Sequence, residues 1–181
     1  MIILGLVLAA VAVYYQVSNH AFISFDDNLY VTANAHVQQG ITGRGMVWAF
    51  GFSENTYWHP LTWLSHMLDV ELFDLDSGWH HVMNLFFHVA NSILLFMALR
   101  TATGSRWKSA FVAALFALHP VIVDTVAWVA ERKNLLSTSF WMLTIIAYVH
   151  YARRPSISRY SAVVLAFVLG LLAKPMLVTM P

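Results

Sequence analysis

The sequence predicts an all-α, polytopic membrane protein with about five transmembrane helices. Hydrophobic residues make up 59% of the 181 residues, charged residues make up only 10%, and the mean hydropathy is +0.64. A soluble domain has about 25% charged residues. Apolar runs recur along the whole chain, so a single cleaved signal peptide does not account for this composition.

Each predicted span corresponds to one apolar run, and a span needs about 20 residues. The first run lacks the basic start and the cleavage site of a secretory signal, so we predict an anchor. The third run meets Pro120, where a helix either kinks or turns into the interface. Spans are predicted near residues 1–17, 80–99, 108–130, 134–152 and 160–174, with a long outer loop over 18–79.

Charge separates along the chain, and this separation predicts an orientation. Acidic residues follow the first and third spans, whereas the short loops after the second and fourth spans are purely basic. By the positive-inside rule these basic loops and the N-terminus are cytoplasmic, and the acidic segments are extracytoplasmic. The carboxylates are Asp26, Asp27, Glu54, Asp69, Glu71, Asp74, Asp76, Asp124 and Glu131.

The outer loop over 18–79 is rich in Trp, His and Phe, which predicts folded structure rather than an open connection. Residues 58–68, WHPLTWLSHML, place Pro60 in a first helical turn and predict a short helix at the membrane surface. Its leucines Leu61, Leu64 and Leu68 share one face. An interfacial aromatic belt explains Trp63 and Trp79 equally well.

A polar stripe runs along the second span, at the 3-4-3 spacing that keeps side chains on one helix face. Its members are His81, Asn84, His88 and Asn91. Because polar side chains avoid lipid, the stripe faces other helices or a wet cavity. Interhelical hydrogen bonds, typically about 0.6 kcal/mol each, are favoured for the three deeper residues.

Cations occur on the acidic side beyond the third span and at the end of the fifth. Arg132 and Lys133 directly follow Glu131, and Lys174 ends the fifth span. Three cations on this side suit an anionic lipid head group. The alternative is weak surface pairing with Asp124 and Glu131.

Five strings, taken in order, resemble the N-terminal membrane part of family C (GT-C) glycosyltransferases. They are FDDNLYV, WHPLTWLSHMLD, WHHVMNLFFHVANSILLF, ALHPVIVDTVAWVAERKNLLS and LLAKPMLVTMP. The specific resemblance is to bacterial relatives of the transmembrane and tetratricopeptide-repeat-containing O-mannosyltransferases. Such proteins continue into further spans and a tetratricopeptide domain, so we expect this chain to be the N-terminal part of a longer protein and inactive alone.

The resemblance implies an integral enzyme of the bacterial inner membrane. It would move a sugar from a polyprenyl-phosphate donor to a protein hydroxyl on the periplasmic face. An essential acid in the first outer loop maps onto Asp26 or Asp27. One of them can serve as the base while its neighbour orients the acceptor or holds a cation. A helix cap is the competing explanation for the pair.

The resemblance and the charge pattern together predict the remaining site residues. The donor phosphate is expected to meet Arg132, Lys133, Lys174, His119 and His59. The substrate cavity is expected to include Trp58, His80, His81, Asn84, Asp124 and Glu131. The family usually has Glu where this chain has Asp124, which leaves the role of Asp124 open. No resident metal site is assigned, and a requirement for a divalent metal stays open.

Other classes of protein remain as alternatives. The nine histidines could bind haem or a metal in a helical bundle, and the polar stripe could line a transporter pathway. A net charge of +1 argues against a nucleic-acid partner, and the absence of cysteine excludes disulfides and thiolate chemistry. Expected partners are membrane lipid, a lipid-linked sugar and an acceptor protein.

Overall fold

The structure is a computed structural model that describes residues 1–51 and 57–180, so Ser53 and Glu54 lie outside the described residues. In these two ranges the chain is helical and contains no strand. The helices are α1 (Ile2–Tyr14), α2 (Gly43–Phe50), α3 (Pro60–Phe73), α4 (Ser77–Thr103), α5 (Arg106–Leu118), α6 (Val123–Ala127), α7 (Arg132–Arg153) and α8 (Ile157–Ala173). Short 3₁₀ turns and one π-turn lie between them.

Three helical stretches are long and apolar enough to cross a membrane, namely Ile2–Asn19, Ser77–Thr103 and Val129–Arg153. A fourth is added if α5 and Pro120–Ala127, which meet at 51°, form one broken span. These features confirm an all-α polytopic membrane protein. The fifth predicted span corresponds to α8, which is apolar but has 17 residues, the short end of the usual range of about 17–25.

α1 and α4 run antiparallel, whereas α4 and α7 run in the same direction, since Asn91 bonds to Leu135 and Thr101 to Arg153. Leu6, near the start of α1, packs with Phe96 near the end of α4, whereas Tyr14, at the end of α1, packs with Leu85 near the start of α4. α7 lies between α4 and α8 and contacts both. The two basic loops lie together, since the Arg153 guanidinium donates to a carbonyl at the end of α4.

The start and end of the spans follow from local chemistry. Asp76 caps α4 by accepting a hydrogen bond from the Trp79 N–H at 3.3 Å. Gly104 ends α4 in the left-handed conformation, with φ of 72°, which glycine adopts without a steric penalty. α5 ends at Leu118 because Pro120 forces its preceding residue, His119, out of the helical region.

The loop over 18–79 folds against the start of α7 around an aromatic core. Tyr30, Trp63 and Met67 are buried in this core together with Val129 and Ala130. Trp63 is only 2% exposed, so its interpretation as a membrane-belt residue is wrong: tertiary packing covers it. Trp79, which is 51% exposed, remains compatible with a belt.

α3 buries both polar and apolar side chains against the protein and exposes leucines on its other side. His66 and Asp69 are buried, whereas Leu68 is 42% and Leu72 is 59% exposed. Exposed leucines are compatible with a helix at the membrane surface. The location of α3 at that surface stays a prediction.

Candidate functional site

A cavity of about 470 Å³ lies where the folded loop meets the ends of α7 and α8. Its walls bring together the predicted site residues Asp26, His59, Glu131, Lys133 and Lys174. Further lining comes from Tyr30, Tyr57, Pro175 and Met176. Residues far apart in sequence thus form one site with carboxylates, cations and aromatic rings.

Lys133 lies between the two carboxylates of the cavity. Its Nζ is 2.9 Å from Glu131 Oε1 and 3.9 Å from Asp26 Oδ2. The same ammonium donates to the Ala130 carbonyl at 3.0 Å and lies 4.7 Å from the centre of the Tyr30 ring. Lys133 is therefore largely neutralised by its own surroundings, whereas the Asp26 side chain stays 35% exposed to the cavity.

The second lysine of the cavity has a different environment. Lys174 Nζ donates to the Asn134 side-chain oxygen at 2.5 Å, and the Asn134 amide in turn donates to Glu131. Between Lys174 and any acid among the described residues there is no direct ion pair. Its positive charge consequently remains available to an anion in the cavity.

His59 and Tyr30 form a hydrogen-bonded pair in the cavity wall, with Tyr30 Oη 3.1 Å from His59 Nδ1. Burial, and then the charges of Lys133 and Lys174, lower the pKa of His59 from 6.5 to about 4. Burial, and then the charge of Asp26, raise the pKa of Tyr30. At neutral pH the imidazole is uncharged and the phenol stays protonated.

Asp27 points away from its neighbour Asp26. It is fully buried, and its two carboxylate oxygens accept backbone N–H groups from Ile23 at 3.0 Å and Ala130 at 2.9 Å. Asp27 thereby ties the loop to the turn that precedes α7. This geometry favours an anchoring role for Asp27 and leaves Asp26 as the carboxylate of the cavity.

Arg132 does not reach the cavity, which corrects its predicted role as a phosphate ligand. Its guanidinium is fully buried and donates to Asp69 at 2.7 Å, Asn84 at 2.6 Å, Ser65 at 2.8 Å and the His80 carbonyl at 3.0 Å. Every guanidinium nitrogen already has a partner. Arg132 therefore links α3, α4 and α7 inside the protein.

His119 and Asp124 also lie elsewhere than predicted. His119 is exposed, and its Nδ1 accepts the Val121 N–H at 3.2 Å, so it caps the turn after α5. Asp124 is exposed in the first turn of α6. Neither residue lines the cavity with Lys174. The predictions of His119 as a phosphate ligand and of Asp124 as a cavity residue are therefore corrected, because the chain bends at Pro120.

The predicted cavity residues on α4 are buried against backbone instead. His80 Nε2 lies 2.9 Å from the Asp74 carbonyl, and His81 Nε2 lies 3.4 Å from the Ala21 carbonyl. Trp58 Nε1 donates to the Phe50 carbonyl at 3.2 Å rather than lining the cavity. The Asn84 side-chain oxygen accepts from Arg132 Nε, and none of His80, His81, Asn84 and Trp58 lines the cavity.

Deeper in α4, the polar stripe bonds to neighbouring segments. Asn84 donates to the Trp128 carbonyl at 2.7 Å, His88 to the Ala117 carbonyl at 3.0 Å, and Asn91 to the Leu135 carbonyl at 2.9 Å. These bonds confirm the interhelical interpretation of the stripe.

Sequence reasoning did not assign Tyr30, Tyr57 or Asn134 to the site. Tyr30 stands four residues after Asp26, a spacing that brings two side chains to one side of a helical turn. Asn134 directly follows Lys133. For Tyr57 the sequence carries no comparable signal, because its place depends on the folding of the loop.

No known family model matches the chain, and no solved structure matches it significantly. Curated proteins do match. The chain is 27% identical to protein O-mannosyl-transferase Tmtc2 of Drosophila melanogaster over 80% of its length. It is 27% identical to TMTC3 of Mus musculus over 79% and 32% identical to TMTC4 of Homo sapiens over 68%.

The matched stretches make up 16%, 16% and 20% of these three relatives, so the chain spans less than a quarter of their length. The matches to three protein O-mannosyl-transferases cover most of this chain. The chain is therefore a distant relative of the TMTC protein O-mannosyl-transferases.

Proposed function

We propose that the protein transfers a sugar from a polyprenyl-phosphate donor to a protein hydroxyl, on the extracytoplasmic face of the membrane. The observation that carries the proposal is the cavity, in which the carboxylate of Asp26 lies with Lys133 and Lys174. The relatives' names supply the reaction class, because they are protein O-mannosyl-transferases. Mannose is accordingly the sugar to test first.

Asp26 is the base in this proposal. Its carboxylate is accessible from the cavity, whereas both oxygens of Asp27 are already occupied. Asp26 would accept the proton of the acceptor hydroxyl as that oxygen bonds to the sugar's anomeric carbon. The bond from that carbon to the donor phosphate breaks, and the phosphate leaves with the electron pair. A well-placed general base contributes about 10²- to 10⁴-fold to such a step.

Lys174 is the group best suited to the leaving phosphate. Its partner is the neutral Asn134 amide, so its charge is not cancelled by a direct carboxylate contact. Lys133 already contacts Glu131 and supplies a weaker field. In the tautomer in which His59 Nδ1 accepts from Tyr30, the ring proton is on Nε2, and His59 would be an additional donor to the phosphate.

The proposed location follows from charge. The basic loops after α4 and α7 lie together at the end of the bundle opposite the cavity, and basic loops favour the cytoplasmic side. The cavity would then open to the periplasm if the host is a bacterium. A phosphate beside Lys174 would let its polyprenyl tail enter the bilayer beside α7 and α8.

The proposal is tested with the native protein in proteoliposomes, supplied with radiolabelled polyprenyl-phosphate mannose and an acceptor protein. We expect label on Ser or Thr of the acceptor, dependent on the lipid-linked donor. Matched proteoliposomes with Lys174→Gln should need more donor to reach the same rate. Transfer from a nucleotide sugar alone would contradict the donor class, and sugar movement without labelled protein would indicate a transporter.

A further inference from the structure

We infer that His66, Asp69 and His80 form a binding site for one divalent transition-metal ion, with Zn²⁺ as the best-suited occupant. The site is separate from the cavity and does not rest on the proposed function. His66 and Asp69 stand one turn apart on α3, and His80 lies in the first turn of α4. One ligand atom from each residue lies within 4.8 Å of the others, so a single ion can contact all three.

The ligand atoms are buried and unsatisfied. Each of the three residues is at most 1% exposed. Across the described part of the chain, no hydrogen-bond partner exists for either ring nitrogen of His66, for Asp69 Oδ1 or for His80 Nδ1. Buried polar atoms in folded proteins are nearly always paired, so one unpaired atom from each of three clustered residues favours an ion-binding role.

Hydrogen bonds to neighbouring groups fix the orientation of His80 and Asp69, as is usual for metal ligands. His80 Nε2 donates to the Asp74 carbonyl at 2.9 Å, which leaves the Nδ1 lone pair on the side of Asp69, at 3.7 Å from Oδ2. Metal-binding histidines usually make this kind of outer hydrogen bond. Asp69 Oδ2 is fixed by Arg132 at 2.7 Å, so Oδ1 remains for an ion.

The ligand types select the class of ion. Two imidazoles and one carboxylate suit Zn²⁺ and related ions rather than Mg²⁺ or Ca²⁺, which prefer oxygen ligands. An ion here would connect α3 to α4 and brace the loop that carries Asp26.

The test uses the full chain, purified in detergent, stripped with EDTA and titrated with Zn²⁺ or with Co²⁺ as a spectroscopic substitute. We expect one equivalent of Zn²⁺ per chain, visible absorption from bound Co²⁺, and a higher Tm with Zn²⁺ than with EDTA. Mg²⁺ in excess should not displace the ion. Failure of the unmodified protein to bind Zn²⁺ or Co²⁺ at one equivalent would overturn the inference.

Variants separate this site from other histidines. His66→Gln and the apolar His66→Leu should each weaken Zn²⁺ binding at least about 100-fold, since losing even an outer-shell partner lowers affinity 10- to 100-fold. His88→Gln is the matched control, because His88 is a buried histidine without a carboxylate in its cluster. The control should bind Zn²⁺ as the unmodified protein does. Unchanged affinity in both His66 variants would place the ion elsewhere and refute the site.

Discussion

Arg132 and Lys174 are both cations at the cavity end of the bundle, but they differ in their partners and therefore in their expected roles. Arg132 is enclosed by Asp69 and Asn84, whereas the Lys174 ammonium donates to Asn134 and forms no ion pair with an acid in ranges 1–51 and 57–180. Removing one partner of a buried ion pair leaves the other charge uncompensated, which costs about 3–5 kcal/mol. Removing a partly buried lysine from a neutral partner has a much smaller effect on folding.

Arg132→Gln is therefore expected to lower the free energy of unfolding by about 3–5 kcal/mol. Lys174→Gln should leave stability nearly unchanged and weaken binding of the donor lipid by about 1.5–3 kcal/mol, the range for hydrogen bonds to charged groups. Unfolding in detergent and a donor-lipid titration measure the two effects. Parental stability in Arg132→Gln combined with weakened donor binding would contradict the structural role of Arg132 and indicate that it binds the phosphate.

His59 makes stability depend on pH in a defined window. Its pKa is about 4 in the folded protein and 6.5 without the fold, with Lys133, Lys174, Tyr30 and Tyr57 facing it. The unfolded chain therefore binds the proton first as the pH falls. Stability is fully present above pH 6.5 and declines toward pH 4, by up to about 3 kcal/mol from this residue.

His59→Gln removes this titration, so its stability should depend less steeply on pH between about 6.5 and 4. Thermal unfolding of both proteins at several pH values in that window provides the comparison. His66 contributes a decline of the same sign in both proteins, and it cancels in the difference. Identical slopes for the two proteins would show that His59 titrates normally in the fold.

At the scale of the helix, α4 shows what the sequence could and could not predict. The 3-4-3 spacing of its polar residues is visible in the sequence and correctly predicts a buried stripe. The partners were not predictable, because they are backbone carbonyls of neighbouring segments, which no spacing within α4 specifies. Trp128, for example, offers its carbonyl to Asn84 in the irregular turn before α7.

The errors in the predicted site arise where two adjacent residues were both assigned to the cavity but only one of them faces it. Successive side chains on a helix diverge by about 100°, so Arg132 and Lys133 point in different directions from the start of α7. Asp26 and Asp27 also diverge. The sequence identifies each pair as unusual in this segment. Which member faces the cavity depends on how the loop packs, and packing over long sequence distances is absent from local patterns.

The stripe of α4 predicts unequal effects along one helix. Asn84→Leu leaves the buried Arg132 guanidinium without one acceptor and should destabilise the protein by about 3 kcal/mol, the upper range for an unsatisfied buried group. Asn91→Leu loses bonds with Leu135 and Ser139, and about 1 kcal/mol is expected, since such interhelical bonds average about 0.6 kcal/mol. Equal losses in unfolding measurements would contradict the central position of Arg132.

At the scale of the whole molecule, the proposed function requires one orientation in the membrane. The chain contains no cysteine, so single-cysteine variants give a clean labelling background. Ser24 and Ser158 are both exposed; Ser24 lies in the loop that carries Asp26, and Ser158 lies in the first turn of α8, directly after the basic loop. They provide a matched pair of reporters.

In intact cells, cysteine introduced by Ser24→Cys should react with an impermeant thiol reagent, whereas cysteine introduced by Ser158→Cys should react only after permeabilisation. The physical reason is the retention of basic loops on the cytoplasmic side. The reverse labelling pattern would contradict the orientation and place the cavity on the wrong side for a periplasmic acceptor.

The paired carboxylates provide the most direct test of the proposed reaction. Transfer of mannose from polyprenyl-phosphate mannose is measured in proteoliposomes for the native protein, Asp26→Asn and Asp27→Asn, with unfolding measured alongside. Asp26→Asn should keep its stability and lose about 10²- to 10⁴-fold in rate, because the base is gone. Asp27→Asn should be less stable by about 1–3 kcal/mol, because one of two buried N–H groups then faces an amide donor. Parental transfer by Asp26→Asn would contradict the assignment of Asp26 as the base.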